Sequence, residues 1–469
     1  MTQRNATEDE DAVDTAWVDA LSRKSGPRYL QVADAMEQAV ADGRLRPGDR
    51  LPPQRRLAQQ LGVDLTTVTR AYEEAKRRHL LVARGARGSY VAAPRVELAR
   101  VVDLGMNMPP PPASLDLDEL VRRGTAQLLR HADTAALMGY QLGGGGPADR
   151  EAGVQWLRPM LGTVAAERVV TCPGAQSALM ALILALTGPG EAILCEPWVY
   201  PGLRAAAEQA GRRLVAVDAD AGGMRPDALE KACREHGARV VYLNPTLQNP
   251  TTATMPEPRR RAIAGALDAL GLQLIEDDPY WRLADRAPPP IAGMAPDRTC
   301  YLATLSKCLT PGLRTAFMVV PDTAVRERFL RALRAFALMS PPLATGLATQ
   351  WILDGSAERL LAGVRAEARA RQDLAARILL AAHARAERDG IHLWLPMPAP
   401  WTSAELARAA RLEGLAVVSG DAFAVGARDT DAIRISLGGV KERAQLAEAL
   451  RRLAGLLSRQ ASGTREVVV

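Results

Sequence analysis

The sequence predicts an α/β protein: a large domain on a mainly parallel sheet, preceded by a small helical module that ends in a β-hairpin. Three observations carry this. Short apolar runs alternate with amphipathic stretches from about residue 168 to 320, the pattern of strand–helix repeats. Residues 25 to 93 instead show helical spacing and then two short strands about a glycine-rich turn. A chain of 469 residues is also too long for one hydrophobic core.

Composition narrows the class. A hydrophobic content of 48% suits a globular protein, and the longest apolar run, Ala178 to Leu186, is too short to span a bilayer. Residues 1 to 24 are polar, with Glu8, Asp9, Glu10, Asp11 and Asp14; they resemble neither a signal nor a transit peptide and read as a disordered acidic tail. The five cysteines lack CxxC spacing or matched histidines, which argues against a zinc site or a disulfide framework and makes a reducing cytoplasm the simplest home. The net charge of +6 is mild but uneven. From Arg23 to Arg100 basic residues outnumber acidic ones by about two to one, which suggests a polyanionic partner.

In the module, Tyr29, Val32, Ala33, Met36 and Val40 recur at helical spacing up to Asp42-Gly43. Arg46-Pro47-Gly48-Asp49 makes a turn, and Leu51-Pro52-Pro53 leads into a short helix from Gln54 to Leu61. Gly62 ends it, and Asp64 is placed to cap a third helix, Thr66 to Arg78, whose inward stripe is Val68, Ala71, Tyr72 and Ala75. Two strands around Gly85-Ala86-Arg87-Gly88 complete a winged helix-turn-helix, a fold that lays its third helix in the major groove. Thr66, Thr67 and Arg70 then face bases or phosphates, Arg55 and Arg56 the backbone, and Gly88 belongs to the wing.

This stretch resembles the DNA-binding domain of GntR-type repressors. The likeness lies in Leu51-Pro52-Pro53-Gln54-Arg55-Arg56-Leu57-Ala58, Leu61-Gly62-Val63, Thr66-Thr67-Val68-Thr69-Arg70-Ala71-Tyr72 and Gly88-Ser89-Tyr90-Val91. Leu65 departs from it, standing where many members carry a basic or small polar residue.

A linker, residues 94 to 102, joins the module to a large domain spanning 103 to 460. The stiff, extended run Pro109 to Pro112, which follows Leu104-Gly105-Met106-Asn107, reads as the strap that leads into that domain. Strands are expected at Arg168–Cys172, Ala192–Glu196, Arg213–Val217, Val240–Asn244, Gln273–Glu276, Thr299–Ala303 and Phe317–Val320. A smaller α+β subdomain, from about 326 to 460, has strands at Ile391–Leu395, Leu415–Ser419 and Ile433–Leu437.

Ligands of such sheets bind beyond the carboxyl ends of the strands, and the unusual residues fall there. Pro173-Gly174-Ala175-Gln176 opens a helix with small residues that let backbone N–H groups hold a phosphate. Trp198 or Tyr200 could stack on a planar ring. Asn249, between prolines, is a neutral donor, and Glu276-Asp277-Asp278-Pro279-Tyr280 ends a strand in carboxylates. Arg434 lies inside an apolar strand, a costly position unless it meets an anion. Lys307 matters most. Of the five lysines, Lys24, Lys76, Lys231 and Lys441 lie on helix faces or tails. Lys307 alone follows a strand and precedes a Pro-Gly turn and Arg314. An amine held near apolar neighbours and a fixed cation loses pKa and becomes the nucleophile that a Schiff base requires.

Taken in order, these stretches resemble the fold-type I aminotransferases, and the whole chain resembles the MocR-type regulators, in which a GntR-like module is fused to an aminotransferase-like domain. The resemblance implies a seven-stranded, mainly parallel sheet and pyridoxal 5′-phosphate as cofactor. It implies that Lys307 forms the Schiff base, Asp277 pairs with the pyridine nitrogen, Asn249 and Tyr280 bond the phenolic oxygen, and Tyr200 stacks on the ring. Gly174, Ala175, Gln176, Thr304 and Arg314 would hold the phosphate; Tyr140 would reach that of a neighbouring subunit in a homodimer. Arg434 would clamp an effector's carboxylate. The implied function is a transcription regulator that binds double-stranded DNA and senses a small amino compound or vitamin B6. The alternative is an active aminotransferase with an accessory DNA-binding domain. No metal site and no membrane partner are expected.

Overall fold

The computed structural model describes residues 27–78, 80–83, 88–92, 101–379, 384–426 and 430–458. The expected acidic tail, the linker residues 94–100 and the hairpin tip Gly85–Arg87 lie outside these. The chain divides into two compact units at Arg100/Val101. Among the described residues no helix is long and apolar enough to cross a membrane.

The first unit contains α1 (Arg28–Ala41), α2 (Gln54–Leu61), α3 (Leu65–Arg77), β1 (Leu81–Ala83) and β2 (Ser89–Val91). Val32, Met36, Leu57, Val68, Ala71, Tyr72, Leu81 and Val91 form one core. Gly62 ends α2 in the left-handed region at φ 59°, where a glycine turns the chain without strain. The Asp64 carboxylate accepts from Thr66 N–H at 2.7 Å. As this cap engages the second residue of the helix, α3 begins at Leu65, one residue before the expected start. The buried Tyr72 hydroxyl donates to the Pro52 carbonyl at 2.6 Å and ties α3 to the chain entering α2. Strands β1 and β2 pair antiparallel from Leu81↔Val91 to Ala83↔Ser89, and Leu51 N–H donates to Ser89 O, anchoring the wing.

The second unit opens with β3 (Val102–Asp103), then α4 (Leu117–His131), α5 (Thr134–Met138) and α6 (Pro147–Leu161). The repeats follow: β4 (Val169–Cys172), α7 (Ala175–Leu186), β5 (Ala192–Cys195), α8 (Pro201–Gln209), β6 (Arg213–Ala216), a small hairpin of β7 (Ala219–Asp220) and β8 (Gly223–Met224), α9 (Pro226–His236), β9 (Val240–Leu243), α10 (Glu257–Leu270), β10 (Gln273–Asp277), β11 (Thr299–Thr304) and β12 (Ala316–Val319). The seven expected strands are all present, with ends moved by a residue at most. They form one sheet in the order β4-β12-β11-β10-β9-β5-β6. Only β12 runs antiparallel to its neighbours; the chain reaches it by doubling back after β11 through residues 305–315, with no α-helix between. Burial on both faces explains the unbroken apolar runs that made these strands readable.

Beyond the sheet come α11 (Thr323–Phe336), α12 (Pro342–Leu353) and α13 (Ser356–Ile378), then β13 (Arg385–Ala386), β14 (His392–Pro396), α14 (Ser403–Leu412), β15 (Leu415–Ala416), β16 (Val418–Ser419), β17 (Ala432–Ser436) and α15 (Arg443–Ser458). The smaller subdomain was expected from about residue 326. Yet Phe329 and Leu333 of α11 share a core with Leu179 and Leu182 of α7, and Trp351 and Ile352 of α12 share one with Trp156 of α6. The small core gathers residues from Ala375 onward together with Leu104. Its sheet runs β13-β14-β17-β16.

The strap begins earlier than expected, and its residues 102–108 belong to this subdomain. Strand β3 pairs parallel with β15, Val102↔Leu415 and Asp103↔Ala416, and Ser436 N–H donates to Leu104 O at 2.7 Å. The turn after β17 is pressed against it. Buried Arg371 donates to the carbonyls of Leu437, at 2.7 Å, and Lys441, at 2.8 Å, and is itself held by Glu367. A Cβ added at Gly438 would sit 1.7 Å from the Met108 carbonyl oxygen. Gly438→Ala is therefore expected to displace the strap and cost about 2–3 kcal/mol. Denaturant unfolding of the full-length variant measures the loss.

Candidate functional site

The parallel register of β10 with β11 pairs Asp277 with Leu302, so the two strand ends present their next residues at the same edge. After β11 the chain makes a single helical turn, closed by Leu309 N–H on Leu305 O at 2.8 Å, which carries Lys307. Thr310, Pro311 and Gly312 then turn the chain back, and Arg314 takes the left-handed conformation at φ 45°, uncommon for a non-glycine residue. Its guanidinium lies over Gly174, where an added Cβ would come within 2.6 Å of it, and donates to Pro173 O at 3.2 Å. Gly174 sits at φ 86° in the turn that opens α7.

A cavity of about 90 Å³ results. Its walls include Ala175, Gln176, Tyr200, Asn244, Asn249, Asp277, Tyr280, Thr304, Ser306, Lys307 and Arg314, which come from separate strand ends. Gly174 adjoins it, and Arg434 on β17 reaches it by donating to Asn249 Oδ1 at 2.8 Å. Of the two candidate aromatics, Tyr200 lines the cavity, whereas Trp198 packs edge-on against Trp394 with centroids 5.2 Å apart. Tyr140 is 79% exposed and does not line this cavity.

The electrostatics follow from burial. Lys307 has its pKa lowered to about 8, first by burial, then by Arg434 and, less strongly, Arg314, with Asp277 opposing. Its Nζ donates to the Asn107 carbonyl at 2.6 Å. Asp277 is raised to about 6, mainly by burial, against the Tyr242 hydroxyl that donates to its Oδ2 at 2.8 Å. Asp277 Oδ1 is buried and has no hydrogen-bond partner among the described residues. Arg434 donates also to the Gly105 carbonyl, lies 4.9 Å from the Phe423 ring centroid, and leaves Nε without a partner among the described residues. Thr304 Oγ1 bonds Ser306 Oγ at 3.1 Å. Such a site offers an amine close to neutrality, a carboxylate oxygen open to a cationic donor, and a helix N-terminus beside an arginine suited to a phosphate.

Four residues of this network had escaped the sequence. Tyr242 holds Asp277, and Asn244 Nδ2 donates to the Asp277 carbonyl at 2.8 Å. Asn107 and His392 form a buried pair near Tyr280. Asn244 and Asn107 stood in noted stretches without a role; Tyr242 and His392 carry no local signal beyond a polar atom within apolar chain.

On the first unit, Arg55, Arg56, Thr66 and Arg70 are exposed, while Thr67 and Gly88 are half-buried. Thr69 Oγ1 bonds Gln54 at 2.9 Å and is occupied within the fold. The Thr66 hydroxyl donates to Asp64 Oδ1 at 2.6 Å.

Residues 28–91 match the family described as bacterial regulatory proteins, gntR family. Over 452 residues the chain is 27% identical to the HTH-type transcriptional regulator YdeF of Bacillus subtilis, covering 94% of this chain and 97% of that protein. It is 27% identical, over 89% of this chain and 96% of the other, to the vitamin B6 salvage pathway transcriptional repressor PtsJ of Salmonella typhimurium. Among solved structures, the α-aminoadipate aminotransferase LysN of Thermus thermophilus superposes with a TM-score of 0.69 at 27% identity, covering 77% of this chain and 92% of that one. Fold and site thus define a helix-turn-helix regulator with an aminotransferase-like domain. The protein has the two-part organisation of the MocR-type transcriptional regulators, a GntR-family module followed by a fold-type I domain.

The lowered pKa of Lys307 has a measurable sign. Between about 8 and the ordinary lysine value of 10.5 the folded chain has lost this proton and the unfolded chain has not. Stability therefore rises with pH across that window. Relative to Lys307→Met, the wild type should gain on the order of 2–3 kcal/mol between those limits. Paired denaturant titrations of the cofactor-free proteins across the window test it.

Proposed function

We propose that the chain is a transcription regulator that grips duplex DNA with its first unit and senses a small amino compound through pyridoxal 5′-phosphate held in the cavity of its second. The observation that carries this is the orphaned Oδ1 of buried Asp277, in the cavity that also holds Lys307. A buried carboxylate oxygen without a donor is costly, and a protonated pyridine nitrogen supplies the donor it lacks. The relatives agree in kind: PtsJ is a regulator of vitamin B6 salvage, and the LysN structure contains a phosphopyridoxyl-leucine.

The other residues fit the same occupant. The start of α7 at Gly174, Ala175 and Gln176, with Thr304 and Arg314, would hold the phosphate. Tyr200 would lie on the ring, and Asn249 and Tyr280 would face the phenolic oxygen. When bound, the cofactor supplies an aldehyde that reacts with amines and a ring that withdraws electrons. Lys307 would hold it because burial lowers the pKa of its amine to about 8, and Asp277 would pair with the ring nitrogen and favour its protonated form. Arg434 would take the effector's carboxylate. Its present acceptors are both neutral oxygens, Asn249 Oδ1 and Gly105 O, against which a carboxylate competes well. An effector acts only through unequal affinity for two conformations, here the open and closed settings of the small subdomain. Lys307 and Asp277 would also permit an amino-transfer half-reaction, whose signature is one equivalent of keto acid per site; keto acid accumulating over several turnovers, with an acceptor supplied, would instead mark an active aminotransferase.

A homodimer is part of the proposal. Met138, Tyr140 and Leu142 are exposed apolar or aromatic side chains, as are Phe336, Leu338 and Leu343. The two segments meet through Gln141 N–H on Met339 Sδ at 3.3 Å, which supports reading them as neighbouring parts of a surface that a second copy would cover.

Two measurements test the function. In gel shifts with its own upstream DNA at moderate salt, the full-length protein should bind. Arg70→Ala should weaken binding about tenfold without unfolding the module. Borohydride reduction with pyridoxal 5′-phosphate should label the Lys307 peptide, with label lost in Lys307→Ala and cofactor retention reduced in Asp277→Ala. Absence of any shift ends the regulator reading; an unlabelled Lys307 peptide ends the sensing one.

A further inference from the structure

Asn107 is held within the cleft by hydrogen bonds whose directions can be worked out. Lys307 Nζ donates to its backbone carbonyl at 2.6 Å. Its Nδ2 donates to the Tyr280 hydroxyl oxygen at 2.9 Å and lies 3.2 Å from His392 Nδ1. Burial, helped by Arg434, pushes the His392 pKa down to about 3, so the ring is neutral. His392 Nε2 lies 3.3 Å from the Gln248 carbonyl oxygen, which can only accept, so Nε2 carries the ring proton. His392 Nδ1 is then an acceptor, and the group facing it must be the Asn107 NH₂. Ser436 Oγ donates to Asn107 Oδ1 at 3.4 Å from the other side.

This settles Tyr280. Its oxygen already accepts from Asn107, so its own proton points elsewhere. Tyr280 is buried and lines the cavity beside Lys307, Asp277 and Asn249. We propose that Asn107 is a positioning residue of the cleft, which fixes the Tyr280 hydroxyl as a donor into the cavity, toward the phenolic oxygen of a bound pyridoxal group. The proposal rests on the reading of the cavity as a cofactor site. Asn107 acts through Tyr280 and, by its backbone, through the resting position of Lys307.

The test is a double-mutant cycle on the full-length protein loaded with pyridoxal 5′-phosphate, read as the pH midpoint of the cofactor's absorbance change. Asn107→Asp puts an acceptor where the donor was, so Tyr280 turns its proton away from the cavity. The phenolic oxygen loses a donor that favours its deprotonated form, and the midpoint rises. A rise of about one unit, a tenfold change in proton affinity, is expected. The charged and titratable groups facing this point are Lys307, Arg434, Asp277, Arg314, Tyr200 and His392, and all are retained. The new carboxylate also acts on them directly, and that part persists in the Tyr280→Phe background. The shift there should be less than half as large. If the aspartate variant does not fold, as judged by melting of the cofactor-free protein, Asn107→Ala withdraws the donor without adding charge. The same cycle should then show a smaller rise confined to the Tyr280 background. Equal shifts in both backgrounds, or none, overturn the role of Asn107. A wild-type protein with no cofactor band overturns instead the reading of the cavity.

Discussion

The contact on which the site depends is the hydrogen bond from Lys307 to the carbonyl of Asn107. An ammonium out of water needs an acceptor, yet a carboxylate in direct contact would keep it charged and unreactive. A neutral carbonyl holds the amine in place and leaves its pKa low. Asp277 lies close enough to be felt, but its own hydrogen bond is to Tyr242. The amine and the acid thus stand in one cavity without neutralising each other. That separation comes from the sheet: β10 and β11 are in fixed register, and a slip by one residue would turn Asp277 to the other face.

The strap completes the site from the far side of the chain's topology. Lys307 donates to Asn107 O and Arg434 to Gly105 O, so two cations of the cleft rest on carbonyls two residues apart on one extended segment. The strap is held in turn by pairing with β15, by Ser436, and by a glycine turn that admits no side chain. Glu367 and Arg371, far from the cavity in sequence, serve it by pinning that turn.

Much of this was legible because local chemistry marks it. Strands buried on both faces appear as unbroken apolar runs, and these, with the more exposed edge strand β6, could be placed within a residue. The residues at their ends stood out because glycine, proline, asparagine or charge interrupts apolar chain there, as at Gly174, Asn249, Asp277 and Lys307. What stayed hidden depends on contacts remote in sequence. Asn107 meets Tyr280 across 173 residues and His392 across 285, and nothing beside it announces either partner. Tyr242 reads as one more member of an apolar strand until its hydroxyl is seen on Asp277. Helix α11 shows which face it buries, but amphipathicity does not say against which subdomain, and α12, apolar nearly all round, does not mark even the face. Asp64 showed the reverse case: the cap was recognisable, and only the first residue of the helix it starts was displaced.

The parallel pairing of β3 with β15 has a practical corollary for severing the two halves of the molecule. Residues 102 to 108 follow the boundary between the units, yet they furnish an edge strand and two wall carbonyls of the cleft. A sensing half produced by proteolysis or by shortening the gene keeps its binding chemistry only if the cut falls upstream of Val102. A cut a few residues later would leave every side chain named for the cofactor in place and still remove the backbone on which Lys307 and Arg434 rest.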